Sequence, residues 1–218
     1  MRIVVVGGHG RTGKLIVEQL VVQGENVVAT IRNPKHMADL VKAGAETVML
    51  DLEKSTGPDF SAVFKGADAI VFAAGSGENE ASEIDAKGVQ KTVRAALSAS
   101  VPRYVAISAM GATTPVPKQW DTPEMKDYWA AKRSANKAVR KSSLKWTIIE
   151  PGELTEAKGS GKVTLSEEEL DVGKISRADL AATVVAVLAE PKTVGKVLQV
   201  IGGKTPIGAA VKKVVASA

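Results

Sequence analysis

The residues best placed to do chemistry lie in one glycine-rich run, Gly7-Gly8-His9-Gly10-Arg11-Thr12-Gly13-Lys14. Its glycines satisfy Gly-x-x-Gly-x-x-Gly at 7, 10 and 13, and Gly-x-Gly-x-x-Gly at 8, 10 and 13. The chemistry this spacing serves is the holding of phosphate. The first glycine permits a tight turn, the middle one lets backbone approach a pyrophosphate, and the last lets a helix pack close to the preceding strand. A helix opening there presents unpaired N–H groups and a partial positive charge to an anion. The run follows an apolar stretch, Arg2–Val6, and precedes helical spacing through Leu15, Ile16 and Leu20. That strand–turn–helix context separates a dinucleotide site from a merely structural turn. Gly7, Gly10, Arg11, Thr12 and Gly13 are therefore the first candidate contacts to such a ligand.

The end of the next apolar stretch selects between dinucleotides. A carboxylate about 20 residues beyond the turn would hold the ribose hydroxyls of NAD, whereas an arginine accommodates the extra phosphate of NADP. The chain reads Ala29-Thr30-Ile31-Arg32-Asn33 there, without an acid. Arg32 offers a planar fork that pairs with phosphate, and Arg11 can assist from the turn. The plain alternative for Arg32 is a surface arginine at a strand end. The expected cofactor is NADP, with NAD the alternative.

The elements that must position these residues alternate. Expected strands are Arg2–Val6, Asn26–Ile31, Glu46–Leu50, Ala69–Ala74, Arg103–Ser108 and Lys145–Ile149. Expected helices between them are Arg11–Gln23, Pro34–Ala43, Asp59–Lys65, Ser82–Ser100 and Met125–Ser142. Beyond the sixth strand, Lys162–Leu165 and Asp171–Ile175 read as short strands. Arg177–Leu188 reads as a helix, Lys196–Val200 as a strand and Ile207–Val215 as a closing helix. Such alternation predicts an α/β fold, a Rossmann-type doubly wound parallel sheet with helices on both faces. Right-handed crossovers align the strand C-termini along one edge, where ligands bind at the reversal of strand order. The segments Gly7–Gly13, Arg32, Asp51, Ala73–Ser76, Ser108–Gly111 and Glu150–Gly152 fall on that edge.

The bulk numbers agree. The 218 residues predict a single domain over 1–218, with 111–124 and 151–170 as its longer loops on the substrate side. Hydrophobic residues make up 44% and aromatics 4%, which suits an aliphatic parallel sheet and not an aromatic platform for single-stranded nucleic acid. The absence of cysteine excludes disulfides, thiolate metal sites and a cysteine nucleophile, and two histidines are too few for a histidine-based metal site. The net charge of +5 includes Lys132, Arg133, Lys137, Arg140 and Lys141 on one expected helix. A solvated face explains them, because no nucleic-acid motif accompanies the charge. The first strand reads as core and not as a signal peptide, and no apolar stretch reaches the ~18 residues of a membrane span. The expectation is a cytoplasmic protein that meets a small-molecule substrate, without nucleic-acid or membrane partners, as a monomer or small homo-oligomer.

The glycine turn, Arg32, and Asp51-Leu52 after the third strand resemble the short-chain dehydrogenase/reductase superfamily. The closer likeness is to its small atypical members, described as NAD(P)-binding or NAD-dependent epimerase/dehydratase-like. Asp85-x-x-Gly88, Val101-Pro102-Arg103-Tyr104-Val105, Thr147-Ile148-Ile149-Glu150-Pro151-Gly152 and Ile175-Ser176-Arg177-Ala178-Asp179-Leu180-Ala181 resemble further segments. The resemblance covers nearly the whole chain. It implies that Asp51 and Leu52 approach the adenine, that Ala73, Ala74 and Gly75 line the cofactor, and that Pro151 and Gly152 border the nicotinamide. The alanines and Gly75 would equally suit plain packing at a strand end.

The resemblance also implies a catalytic Tyr and a Lys four residues later, here Tyr128 and Lys132. Positions four apart share a helix face. In such enzymes the lysine binds the nicotinamide ribose, so Lys132 is also a cofactor contact, and its charge lowers the tyrosine pKa. That shift matters because a tyrosine near pKa 10 is a poor base at neutral pH. Ser108, ending the fifth strand, fits the serine that hydrogen-bonds the substrate oxygen and adjoins the cofactor. Tyr-x-x-x-Lys also arises by chance, but the chain has only two tyrosines and this one falls on the helix after the fifth strand.

The chain departs from the extended members in its short tail after Gly152. A shallow site and a small or flat substrate are expected, and sugar-nucleotide epimerisation is disfavoured. Some small relatives reduce flavins or tetrapyrrole-derived pigments, and others sense NADP or regulate without turnover. Two readings follow: an NADP-dependent oxidoreductase acting on a small carbonyl, quinone or flavin-like substrate through Ser108, Tyr128 and Lys132, or a non-catalytic NAD(P)-binding redox sensor or regulator.

Overall fold

In the first strand, β1 (Arg2–Val6), every position after Arg2 is apolar because both faces are covered. Ile3 and Val5 join a core cluster on one side, Val4 and Val6 a second on the other, the alternation that a period of two imposes. The computed structural model describes residues 1–75 and 82–216, with backbone alone for 82–84. Its strands are β1, β2 (Asn26–Ile31), β3 (Glu46–Met49), β4 (Ala69–Phe72), β5 (Arg103–Ile107), β6 (Lys145–Pro151), β7 (Glu153–Thr155), β8 (Lys162–Ser166), β9 (Lys174–Ser176), β10 (Val197–Gly202) and β11 (Thr205–Pro206). The α-helices are α1 (Arg11–Val22), α2 (Met37–Lys42), α3 (Gly57–Phe64), α4 (Val89–Ser98), α5 (Lys126–Lys141), α6 (Arg177–Ala189) and α7 (Ile207–Ala216).

Among the described residues nine strands form one sheet, in the order β3-β2-β1-β4-β5-β6-β10-β8-β11. From β3 to β10 every neighbouring pair is parallel. Residues of α1, α2, α6 and α7 pack on one face, and those of α3, α4 and α5 on the other. This is the Rossmann-type α/β architecture. Strand order reverses between β1 and β4, so the crevice expected of such sheets opens outside their carboxyl ends.

The far edge differs from the expected all-parallel sheet. There β8 runs antiparallel to β10, and β11 antiparallel to β8. A separate parallel pair, β7 with β9, stands off the main sheet. Segment 151–170, expected as a loop with one short strand, thus carries β7 and β8. The strand expected at Asp171–Ile175 is β9, and neither β7 nor β11 was anticipated. Two or three residues are too few to show a period of two, and their pairing is decided by non-local partners. The helix expected over Ser82–Ser100 is wide and π-like over Ser82–Gly88 and becomes α4 only at Val89. Ser76, on the expected edge segment, lies outside the described residues.

Tyr104, on β5, is fully buried, and its hydroxyl pairs with Thr92 Oγ1 at 2.7 Å. Burial pushes its phenol well above the usual tyrosine range. Of the chain's two tyrosines this one belongs to the core. Tyr104→Phe should lower stability by about 1 kcal/mol, the worth of one internal hydrogen bond, and leave dinucleotide affinity unchanged. Chemical denaturation and a cofactor titration on the same variant check both halves.

Candidate functional site

The turn after β1 is built by close approach. Gly7 has a φ of +80°, and a Cβ there would lie 2.7 Å from Ala74 Cα. A Cβ on Gly13 would lie 2.2 Å from the Gly7 carbonyl oxygen. Both positions therefore require glycine. Strand β2 buttresses the turn: the Gly7 N–H donates to Thr30 Oγ1 at 3.2 Å and the Gly8 N–H to the Thr30 carbonyl at 3.0 Å. Gly10, at the cap position before α1, offers no side-chain cap, and the helix has no acid in its first turn. Its leading N–H groups are thereby left for an external anion.

The turn forms one wall of a cleft of about 430 Å³ at the carboxyl ends of the central strands. Gly7, Gly10, Arg11 and Thr12 line it as expected, and Gly13 packs behind them. Arg32, Asp51 and Leu52 line one end, and Ala73, Ala74 and Gly75 lie across the switch point. Ser108, Tyr128 and Lys132 line the other end. Pro151 and Gly152 do not reach the wall: both are buried, and a Cβ on Gly152 would lie 2.2 Å from the Gly173 carbonyl oxygen. That glycine lets β6 pass the β7–β9 ribbon, and Leu154 of β7 takes the place on the cleft wall.

Arg32 is exposed at the end of β2, with no hydrogen bond or ion pair among the described residues. Beside it the rings of His9 and His36 stack at 3.7 Å, 7° from parallel, and both face the cleft. Burial, reinforced by His9 and Arg32 and opposed by Asp39, holds the His36 imidazolium below the usual histidine range. The Asp51 carboxylate accepts the Glu53 N–H at 2.9 Å and so closes its own turn. Lys91 Nζ fixes that loop by donating to the Leu52 and Ser55 carbonyls, each at 2.7 Å.

Helix α5 carries Tyr128 and Lys132 one turn apart. Lys132 Nζ lies 5.5 Å from the Tyr128 ring centroid and 2.8 Å from Asp85 Oδ1. Asp85 is 2% exposed and Lys132 7%. The aspartate fixes the ammonium and offsets part of its charge, so the lysine's field at the tyrosine is weaker than that of an unpaired cation. Ser108 is buried, and its Oγ has no hydrogen-bond partner among the described residues. A buried hydroxyl left unsatisfied on a cleft wall is a group ready to meet a bound molecule. Behind this end, Glu150 is fully buried, accepting from the Thr113 hydroxyl and from Asn136 Nδ2. Burial pushes its carboxyl above the usual range, against those hydrogen bonds and one from Gln199.

Sequence reasoning missed Thr30, His36 and Leu154 as members of the site, held His9 only as part of the edge segment Gly7–Gly13, and named Asp85 and Arg177 only as marks of resemblance. The Asp85-x-x-Gly88 spacing was the available signal for that carboxylate. Nothing in the sequence signalled the histidine stack, which joins the turn to the segment after β2. The glycine cradle and the uncapped helix start together fit a dinucleotide.

Comparison with known proteins agrees. The profile of a family described as NAD(P)H-binding matches residues 7–191. A Bacillus subtilis protein named as an uncharacterized sugar epimerase, YhfK, is 35% identical over 218 residues, covering 98% of this chain and 100% of its own. A solved Bacillus halodurans protein, classed with the NAD-dependent epimerase/dehydratases, superimposes with a TM-score of 0.89 at 32% identity, over 98% of this chain and 99% of that one. The Lactococcus lactis oxidoreductase ylbE gives 0.90 at 27% identity, over 99% and 97%. Among the described residues no helix is long and apolar enough to cross a membrane. The chain belongs to the NAD(P)H-binding family, and its solved neighbours include an NAD-dependent epimerase/dehydratase-like protein and an oxidoreductase.

Proposed function

We propose that the protein is an NADP-dependent oxidoreductase that reduces a small carbonyl, quinone or flavin-like substrate. The observation that carries this reading is the orphaned, buried Ser108 hydroxyl on the same cleft wall as Tyr128 and Lys132, at one end of a glycine-cradled cleft. Gly7, Gly10 and Thr12, with the first turn of α1, would hold the cofactor's diphosphate. Arg32, at a strand end that lacks a carboxylate, would pair with the 2′-phosphate. The bound nicotinamide supplies the hydride. Ser108 would donate its hydrogen bond to the substrate oxygen, and Tyr128 would give its phenolic proton to that oxygen as the carbon is reduced. Lys132, fixed by Asp85, would orient the nicotinamide ribose and favour the phenolate left behind. The partly offset charge of Lys132 favours a second reading, a cofactor sensor without turnover, because a sensor has no need of a strong field at Tyr128.

Tyr128→Phe decides between the two. Under the enzyme reading it should cut kcat by roughly a hundredfold or more and leave NADPH affinity nearly intact. Steady-state turnover with a panel of carbonyl, quinone and flavin acceptors reads the first and nicotinamide fluorescence the second. Unchanged turnover would remove Tyr128 from the mechanism, and no turnover in the parent with any acceptor would favour the sensor. Arg32→Ala should weaken NADPH by roughly tenfold and barely alter NADH. Equal loss for both would make Arg32 structural and sink the NADP assignment.

A further inference from the structure

Arg11, a candidate phosphate contact of the glycine turn, converges with a second arginine that the proposed reaction does not use. Arg11, the first residue of α1, and Arg177, the first of α6, reach the same carboxylate oxygen. Arg11 Nη1 lies 3.0 Å and Arg177 Nε 3.2 Å from Glu156 Oε1. The three residues differ sharply in burial. The side chains of Arg11 and Glu156 are 72% and 66% exposed, and that of Arg177 is 11% exposed. Both arginines line the cleft. Arg177 Nη1 is buried without a hydrogen-bond partner among the described residues. Burial and the Arg11 charge both work against the Arg177 cation, and Glu156 offsets them in part.

An unsatisfied guanidinium N–H is costly to bury and calls for an acceptor. The start of α6 does not supply the explanation, since Ser176 Oγ already caps it by accepting the Asp179 N–H at 3.0 Å. Nor does the bridge to Glu156, which leaves Nη1 unused and draws on a carboxylate that is 66% exposed. What two convergent guanidiniums and a spare donor fit is an oxyanion presenting several acceptor oxygens.

We propose that Arg11 and Arg177 form an anion subsite on the cleft wall, taking a phosphate or carboxylate group of a bound molecule, with Glu156 as the internal carboxylate that the ligand displaces. The subsite rests on the dinucleotide reading of the same cleft. Its anion comes either from the cofactor's diphosphate or from an acidic group on the substrate. Glu156 contributes one oxygen to both cations, and a ligand that also reaches Nη1 satisfies what Glu156 leaves open.

The test is calorimetric titration of the full chain with NADPH, with inorganic pyrophosphate, and with pyrophosphate after saturation by NADPH. The variants are Arg177→Gln, Arg11→Gln and Glu156→Gln. If the anion is the cofactor's, Arg177→Gln and Arg11→Gln should each weaken NADPH and pyrophosphate by about tenfold or more. If it is the substrate's, NADPH affinity should hold and the loss should appear only for pyrophosphate on the NADPH-loaded protein. Glu156→Gln should tighten the same anion severalfold, because it removes the competing charge and keeps the shape. Arg11→Gln touches an exposed side chain, so the proposal remains testable if Arg177→Gln does not fold. Unchanged affinities in all arms for both arginine variants would overturn the subsite, and weaker binding by Glu156→Gln would overturn the displaced-carboxylate role. Failure of the parent to bind NADPH at all would instead overturn the dinucleotide reading, a result visible before any variant is made.

Discussion

The packing of α1 against the end of β1 is the constraint on which the site depends. Helix and strand meet so closely that a single Cβ on Gly13 would intrude to 2.2 Å from the Gly7 carbonyl oxygen. That proximity aims the start of α1 at the cleft, and the lack of any cap or acid in its first turn leaves its donors available. The same proximity lets Ala74, from the far side of the switch point, approach Gly7. The cleft exists because two halves of the sheet diverge there, and its floor is backbone because no side chain fits. Substituting either glycine would therefore disturb the turn through geometry and not through charge.

Around this floor the charges are arranged unevenly. At one end Arg32 stands exposed and without a partner among the described residues, beside two stacked histidines. At the other, the Lys132 ammonium is buried and held by Asp85. A buried pair of this kind is weak evidence for stability, since desolvation consumes much of the Coulomb gain, but losing one member would strand the other charge. Its evident consequence is positional: the ammonium is fixed over one edge of the cleft, within reach of Tyr128. The Glu150 cluster behind it holds a carboxyl whose charged form burial disfavours, and whose hydrogen bonds tie β6 to α5 through Asn136.

Much of this was legible in the chain. Glycine spacing, apolar runs of five or six residues and helix starts and stops are local signals, and they identified strands β1, β2, β4, β5 and β6 and the helices between them. The site residues on those strand ends also followed, because a parallel sheet with right-handed crossovers brings its carboxyl ends to one edge. Reasoning from the edge rule reached Arg32, Ala73 and Ser108, and the resemblance added Tyr128 and Lys132. It failed where contact is made between segments distant in sequence. Asp85 and Lys132 are 47 residues apart and Arg11 and Glu156 are 145 apart, separations at which no periodicity speaks. Pro151 and Gly152 lay on the predicted edge, yet both are buried, Gly152 against the backbone of Gly173 just before β9.

The sequence by itself determined the fold class, the glycine-rich turn and the absence of a carboxylate at the end of β2. Each is a property of residue type at short spacing, set by sterics and by the backbone's need for hydrogen bonds. Only the tertiary structure decided the antiparallel far edge, the placing of Leu154 instead of Pro151 on the cleft wall, and the pairing of Lys132 with Asp85. It alone brought Arg11 and Arg177 to one carboxylate. Those arrangements are settled by which surfaces meet once the sheet has formed, and by the cost of leaving charge and hydrogen-bonding groups buried without partners.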